Sequence, residues 1–262
     1  MHLTFSHRET WLHRVNPTLK LAVSVLLFVA ALFVHNPNVM ALLAAASLLP
    51  LLATGHPPLR VLLYASPFLL VFISSASGMI MFGTGATLWF ELGLIRITEE
   101  SFYRGLHLGL RSLQVAAVGL AFALTTRPVA LFYSLMQQLR MPSKYAYSFL
   151  AALNMVPLLA DEFFTLRQAL QIRGAGPGRK GIYGRLRMYA LPLLAQSIRR
   201  AHRMAAAMEA RRFRSGSGKR TYYYVYGWSR IDALYAVSIA ALWLLAWLLG
   251  THYPLLAATD VR

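Results

Sequence analysis

Apolar residues gather along this chain in five long blocks, at 19–34, 39–53, 61–82, 106–125 and 231–249. A helix needs about 20 residues to cross the hydrocarbon core of a bilayer, so blocks of this length predict membrane spans. The first two are short and are joined by His35-Asn36-Pro37-Asn38. They predict a tight helical hairpin whose flanking Lys20 and Arg60 snorkel toward the headgroups. Pro67 and the glycines at 78, 83 and 85 are expected to loosen the third block, and a loop carrying Glu91, Glu99 and Glu100 to precede the fourth.

A sixth run, 145–160, is uncharged over sixteen residues. As a further span it would reverse the sidedness of everything after it. We read it as the first half of a helix packed beneath the membrane.

Two amphipathic stripes follow that reading. One runs through Phe149, Leu153, Val156, Ala160, Phe163, Leu166 and Leu170, the other through Leu191, Leu194, Ile198, Ala201, Ala205 and Met208. Steps of three and four place each set on one helical face. Three residues further on stand Arg173 and Arg211, in phase with the stripes and apart from Arg199, Arg200 and Arg203. Pro157-Leu158-Leu159-Ala160 recurs as Pro192-Leu193-Leu194-Ala195, so the two helices form a weak internal repeat. Gly174 is suited to end the first helix in the left-handed conformation. The runs at 174–178 and 215–218 break the chain after each.

Charge gives the topology. The chain carries +17 and is 57% hydrophobic. Between Arg127 and Arg230 lie 18 Lys and Arg against three acids, a net of +15. Positive charge stays on the cytoplasmic side of a membrane protein, which is preferred here to a nucleic-acid surface. The N-terminus and the basic region then lie inside, and the first span is expected to be retained without signal cleavage. The result is an all-α polytopic membrane protein of about five transmembrane helices: 1–126 the N-terminal spans, 127–230 a basic cytoplasmic coupling domain of long helices, 231–262 the last span and tail. Tyr222, Tyr223, Tyr224, Tyr226 and Trp228 form an aromatic interface belt before that last span.

Catalytic chemistry finds little support. There is no cysteine, and the eight histidines show no paired ligand spacing. Gly216-Ser217-Gly218-Lys219-Arg220 resembles a phosphate loop only faintly, since Phe213 stands at the first glycine and Arg220 at the hydroxyl position. No catalytic, metal or nucleotide site is expected. Arg104, His107 and Arg111 share one face of the fourth block. Arg111 either faces the bundle interior or a partner, or snorkels outward from a span that starts later. An arginine at a helix C-terminus can simply complement the dipole. Arg173 and Arg211 continue apolar faces, however, and a guanidinium fork suits a cleft of carboxylates and carbonyls in a partner.

With His13-Arg14-Val15-Asn16-Pro17-Thr18-Leu19-Lys20, Ile172-Arg173-Gly174 and Ala207-Met208-Glu209-Ala210-Arg211-Arg212-Phe213, the chain resembles the transmembrane component of energy-coupling factor ABC transporters, the CbiQ/EcfT-like family. The likeness covers nearly the whole chain. It implies two coupling helices that dock Ala-Arg-Gly motifs, here Ile172, Arg173, Gly174 and Ala210, Arg211, Arg212, into two cytoplasmic ATP-binding subunits. It also implies a small membrane-embedded substrate-binding S component as partner, with Arg104, His107 and Arg111 as candidate contacts within the bilayer. The implied role is a noncatalytic scaffold for vitamin or micronutrient uptake in a bacterial cell membrane. No cofactor of its own is implied, because the partner subunits bind ATP.

Ile172 stands where the family has Ala, and Arg212 where it has Gly. The second departure predicts that the second helix runs on to Arg214 or Ser215. The run at 135–142 with Arg104–Arg111 resembles the branch linked to thiamine or its pyrimidine precursor. A conventional substrate-translocating permease and a membrane enzyme acting on lipid phosphates are the alternative readings. The first would need polar groups at mid-membrane, which are scarce apart from Arg111, Gln114 and Ser/Thr, and the second lacks paired acids or a metal cluster.

Overall fold

A computed structural model describes residues 10–83, 85, 87–92, 95–174, 181–213, 222 and 224–253. The phosphate-loop-like run at 216–220, most of the breaks at 174–178 and 215–218, and Tyr223 lie outside the described residues.

The chain is helical almost throughout. A single turn, α1 (Trp11–Arg14), leads into α2 (Pro17–Phe33), α3 (Pro37–Leu52) and α4 (Pro58–Phe82). A short hairpin, β1 (Leu88–Leu92) and β2 (Ile95–Thr98), precedes α5 (Glu99–Thr125). Then come α6 (Pro128–Gln138), α7 (Ser143–Ile172), α8 (Ile182–Ala210) and α9 (Arg230–His252). The chain is thus an all-α polytopic membrane protein. By length and composition α4, α5, α7 and α9 can cross a bilayer, and α2 and α3 are shorter apolar helices. α7 contains the 145–160 run that the sequence reading set beneath the membrane.

Helix starts follow directly from sequence. Asn16-Pro17 and Asn36-Pro37 each place an amide cap before a proline at the first helical position. Asn16 Oδ1 accepts from Thr18 N at 3.0 Å, and Asn36 Oδ1 from Asn38 N at 2.9 Å. Between α2 and α3 the chain turns sharply, but the two helices scarcely touch along their lengths: the expected tight hairpin does not form, and α3 packs on α5 and α9 instead. At α5, Thr98 and Ser101 cap reciprocally, and Glu99 and Glu100 fill the first turn where the helix dipole favours anions.

Three further expectations are corrected here. The segment before the fourth span is an antiparallel hairpin with the backbone of Glu91 in register with that of Arg96, and Glu99 and Glu100 already belong to α5. α4 runs unbroken through Pro67 and Gly78 and stops at Gly83. Neighbouring helices can re-satisfy the carbonyl that a proline frees inside a membrane helix. Lys20 does not snorkel: it is 3% exposed, and its Nζ donates to Thr125 O at 3.0 Å.

The chain divides into two compact units. The first, the membrane unit, comprises Met1–Ser134 and Tyr226–Arg262. Its core has three adjoining clusters. Ala31, Val34, Val39, Met40, Leu43 and Ala246 join α2, α3 and α9. Leu12, Val15, Leu27, Tyr235 and Ile239 join the N-terminal segment to α9. Leu51, Val61 and Ala117 link α3, α4 and α5. α3 and α9 approach so closely at Gly250 that a Cβ there would lie 2.6 Å from Val39 Cα. Small residues at such crossings let membrane helices pack by dispersion where no hydrophobic drive exists.

The second unit, Leu135–Val225, holds α7 and α8 and takes the name coupling unit from the role that the family resemblance implies. Tyr147 meets Phe213 edge-on at 5.4 Å, Phe163 lies 5.3 Å from Tyr189, and Arg200 pairs with Glu162. These contacts run in opposite senses along the two helices, so α7 and α8 are antiparallel.

Candidate functional site

Both arginine tips end their helices in the same way. α7 stops at Ile172 with Arg173 as its cap residue at φ −77°, ψ 7°. α8 stops at Ala210 with Arg211 as its cap at φ −82°, ψ 11°. Arg173 N donates to Ala169 O at 3.2 Å, and Arg211 N to Ala207 O at 3.1 Å. The next residue is left-handed in each case, Gly174 at φ +65° and Arg212 at φ +54°. Gly174 N donates to Gln171 O at 3.1 Å, as Arg212 N does to Glu209 O at 2.8 Å. Phe213 N then reaches back to Met208 O at 2.9 Å and completes the Schellman pattern.

The expectation that α8 runs on to Arg214 or Ser215 is therefore wrong. With residue 212 left-handed, two carbonyls at the end of α8, Met208 O and Glu209 O, find donors in Phe213 N and Arg212 N, and Phe213 gains an aromatic seat on Tyr147. Together these outweigh the roughly 1–2 kcal/mol that a non-glycine residue loses in that conformation. Ile172, Arg173, Gly174, Ala210, Arg211 and Arg212 are all exposed, Ile172 at 87%. Each tip thus carries a positive fork at the negative end of a helix dipole.

The tips lie far apart within the coupling unit. Phe213, two residues beyond Arg211, packs on Tyr147 near the start of α7, and Arg173 ends that helix. At about 1.5 Å of rise per residue, the stretch from Tyr147 to Arg173 is about 40 Å long. One compact cleft cannot receive both.

The stripes are only partly packed. Leu153, Phe163, Leu166 and Leu170 of the first are shielded, but Phe149, Val156 and Ala160 are exposed. Of the second, Met208 is shielded while Leu191, Leu194, Ile198, Ala201 and Ala205 are exposed. Arg200, assigned from sequence to the solvated face, instead turns to α7 and pairs with Glu162. α8 packs through Met188, Tyr189, Leu193, Arg200 and Met204, a face rotated from the predicted one and leaving the apolar stripe uncovered.

Within α5 the trio divides. Arg111 Nη2 donates to Val34 O at 2.8 Å and lies 2.9 Å from His107 Nε2. Val34 is the cap residue of α2, whose last carbonyls have no partner in their own helix. Arg111 therefore closes the end of α2, just before the turn into α3, and does not snorkel outward. His107 is 6% exposed and faces the chain's own interior. Arg104 sits one turn earlier at intermediate exposure.

Sequence reasoning missed a buried polar knot at the start of α2. Asn16, Thr18, Ser134 and Asp232 are all nearly inaccessible and hydrogen-bonded to one another. The motif at 13–20 was visible, but Asp232, a partner 216 residues away, carries no local signal.

Apolar helices of membrane length, with a helical unit that presents two exposed arginine tips, define a polytopic membrane component. The profile of the family described as "CbiQ: Cobalt transport protein" matches residues 8–223, and the chain belongs to that family. Curated relatives named "Energy-coupling factor transporter transmembrane protein EcfT" match along nearly their full length. The protein from Listeria innocua is 28% identical over 92% of this chain and 94% of its own. That from Streptococcus thermophilus is 26% identical over 90% and 93%. That from Limosilactobacillus fermentum is 28% identical over 86% and 88%. The chain is accordingly an EcfT/CbiQ-type transmembrane component of an energy-coupling factor transporter.

Proposed function

We propose that this chain couples ATP hydrolysis by two cytoplasmic ATP-binding subunits to the reorientation of a small membrane-embedded substrate-binding subunit, for uptake of a vitamin or other micronutrient. The observation that carries the reading is the pair of matched tips. Two guanidinium groups sit at identical helix stops, both exposed, about 40 Å of helix apart. That spacing fits one socket on each of two subunits. Arg173 and Arg211 enter the sockets, and Ile172 and Ala210 pack at the rims. Gly174 and Arg212 turn the chain away.

The basic charge of 127–230 puts this unit and the N-terminus on the cytoplasmic side. The uncovered stripe of Leu191, Leu194 and Ile198 supplies an apolar face for lipid or the substrate-binding subunit. Arg104, Arg111 and His107 remain the candidate contacts for that partner, with Arg111 also holding the end of α2. The chain itself supplies no catalytic group, and ATP is held by the partner subunits.

Purification in mild detergent with an affinity tag on this chain tests the reading. Two ATP-binding subunits and one small membrane protein are expected to come with it. ATP-binding subunits alone would favour a conventional permease, and neither partner would contradict coupling altogether.

A further inference from the structure

The chain passes from the membrane unit into the coupling unit after Ser134 and returns before Tyr226. A single side chain bonds near both passages. Asn16 Oδ1 accepts from Ser134 Oγ at 2.7 Å, and Asn16 Nδ2 donates to Gly227 O at 3.4 Å. Asn16 N donates to Asp232 Oδ1 at 2.7 Å, and Asp232 Oδ2 accepts from Ser229 N at 2.7 Å. Thr18 Oγ1 lies 2.6 Å from Ser134 Oγ, so α2 holds the outgoing segment twice. One turn further, Lys20 Nζ reaches Thr125 O at 3.0 Å, at the end of α5 and just before α6.

Capping α2 needs only the bond from Thr18 N to Asn16 Oδ1. The contacts to Ser134 and Gly227 exceed that need, and they use both atoms of the amide. Asn16 is 4% exposed and Ser134 is fully buried, so losing a partner leaves a polar group unsatisfied away from water.

We propose that Asn16 is a positioning residue for transport. Its amide fastens the outgoing and the returning chain to one point of the membrane unit, so that displacement of the coupling unit reaches the membrane helices through both passages together. The consequence for transport rests on the coupling function proposed above; the fastening itself does not.

The test uses Asn16→Ser, which keeps a capping oxygen but cannot span both passages, beside Ser134→Ala. Hydrogen exchange of the full chain in lipid nanodiscs reads the fastening. Asn16→Ser is expected to speed amide exchange about tenfold in peptides covering both 131–142 and 224–230, and Ser134→Ala in the first alone. Both passages at wild-type rates in Asn16→Ser would overturn the fastening, and so would a uniform rise along α2 and α9.

The transport role is read in proteoliposomes holding the whole transporter. Asn16→Ser is expected to keep its ATP-binding subunits and their hydrolysis while losing several-fold in substrate taken up per ATP. Uptake per ATP at the wild-type value, or hydrolysis falling in step with uptake, would overturn it. Wild-type chain that recruits no ATP-binding subunit would overturn the coupling reading and the transport role with it, while the exchange pattern still decides the fastening.

Discussion

The membrane unit and the coupling unit differ in how much of their side-chain surface they bury among themselves. In the membrane unit α2, α3, α5 and α9 bury a continuous set of apolar residues, and buried polar groups such as Asn16, Lys20 and Asp232 bond within the unit. In the coupling unit the described buried hydrophobics are only Met136, Ala146 and Leu150, while Phe149, Val156, Leu191, Leu194 and Ile198 stand exposed. The same holds for arginine. Arg111 spends its guanidinium on Val34 O, whereas Arg173 and Arg211 present theirs outward at matched helix stops. One unit has a buried core beneath outer apolar faces, such as Leu62, Leu63, Leu70 and Ile73 of α4, that are exposed as well. The other has little buried core, and apolar faces of the extent both units expose call for cover by lipid or by a second protein.

Substitutions can break this contrast or sharpen it. The largest effect is expected from Gly250→Leu, whose side chain would meet the Val39 backbone; it should cost about 3 kcal/mol, read as a lowered unfolding midpoint in detergent. Arg111→Leu should cost about 2 kcal/mol by leaving Val34 O and His107 without their partner in a region poor in water. A normal midpoint for it would show that the α2 end needs no such cap.

At the tips the two helix stops should respond with opposite signs. Gly174→Ala places a Cβ in a left-handed residue and should loosen the first stop by about 1 kcal/mol, although the space around it is open. Arg212→Gly relieves the same penalty at the second stop and should tighten it by a similar amount. Hydrogen exchange of the last turn of each helix measures both; equal responses would mean that the stops are held by different forces. The smallest effect is expected from Leu194→Ser, under about 0.5 kcal/mol in the isolated chain, since its side chain is already exposed. If it destabilised as much as Gly250→Leu, the coupling unit would have a core of its own.

Much of this architecture was legible in the sequence. The five apolar blocks became α2, α3, α4, α5 and α9, because membrane spans are written as local runs of one residue class. Gly174 announced its stop through a backbone preference that needs no tertiary context. Arg212 misled because its left-handed turn is set by Met208, Glu209 and the ring of Tyr147, a contact across sixty-six residues that no window reveals. The packed face of α8 was misjudged for a related reason. Periodicity shows that a helix has an apolar side but not whether this chain or a partner covers it, and here Arg200 turned to Glu162 while Leu191, Leu194 and Ile198 did not turn inward. Lys20 looked like a snorkelling residue until the α5 carbonyl it meets was in view.

The central claim is that Arg173 and Arg211 each engage a separate ATP-binding subunit. The direct measurement is ATP-driven uptake by the reconstituted transporter carrying Arg173→Ala and Arg211→Ala together, with the amount of co-purifying ATP-binding subunit recorded on the same preparation. The account predicts normal membrane insertion of the variant, loss of both subunits or of their coupling, and uptake at background, with each single substitution intermediate. Full uptake by the double variant would contradict it.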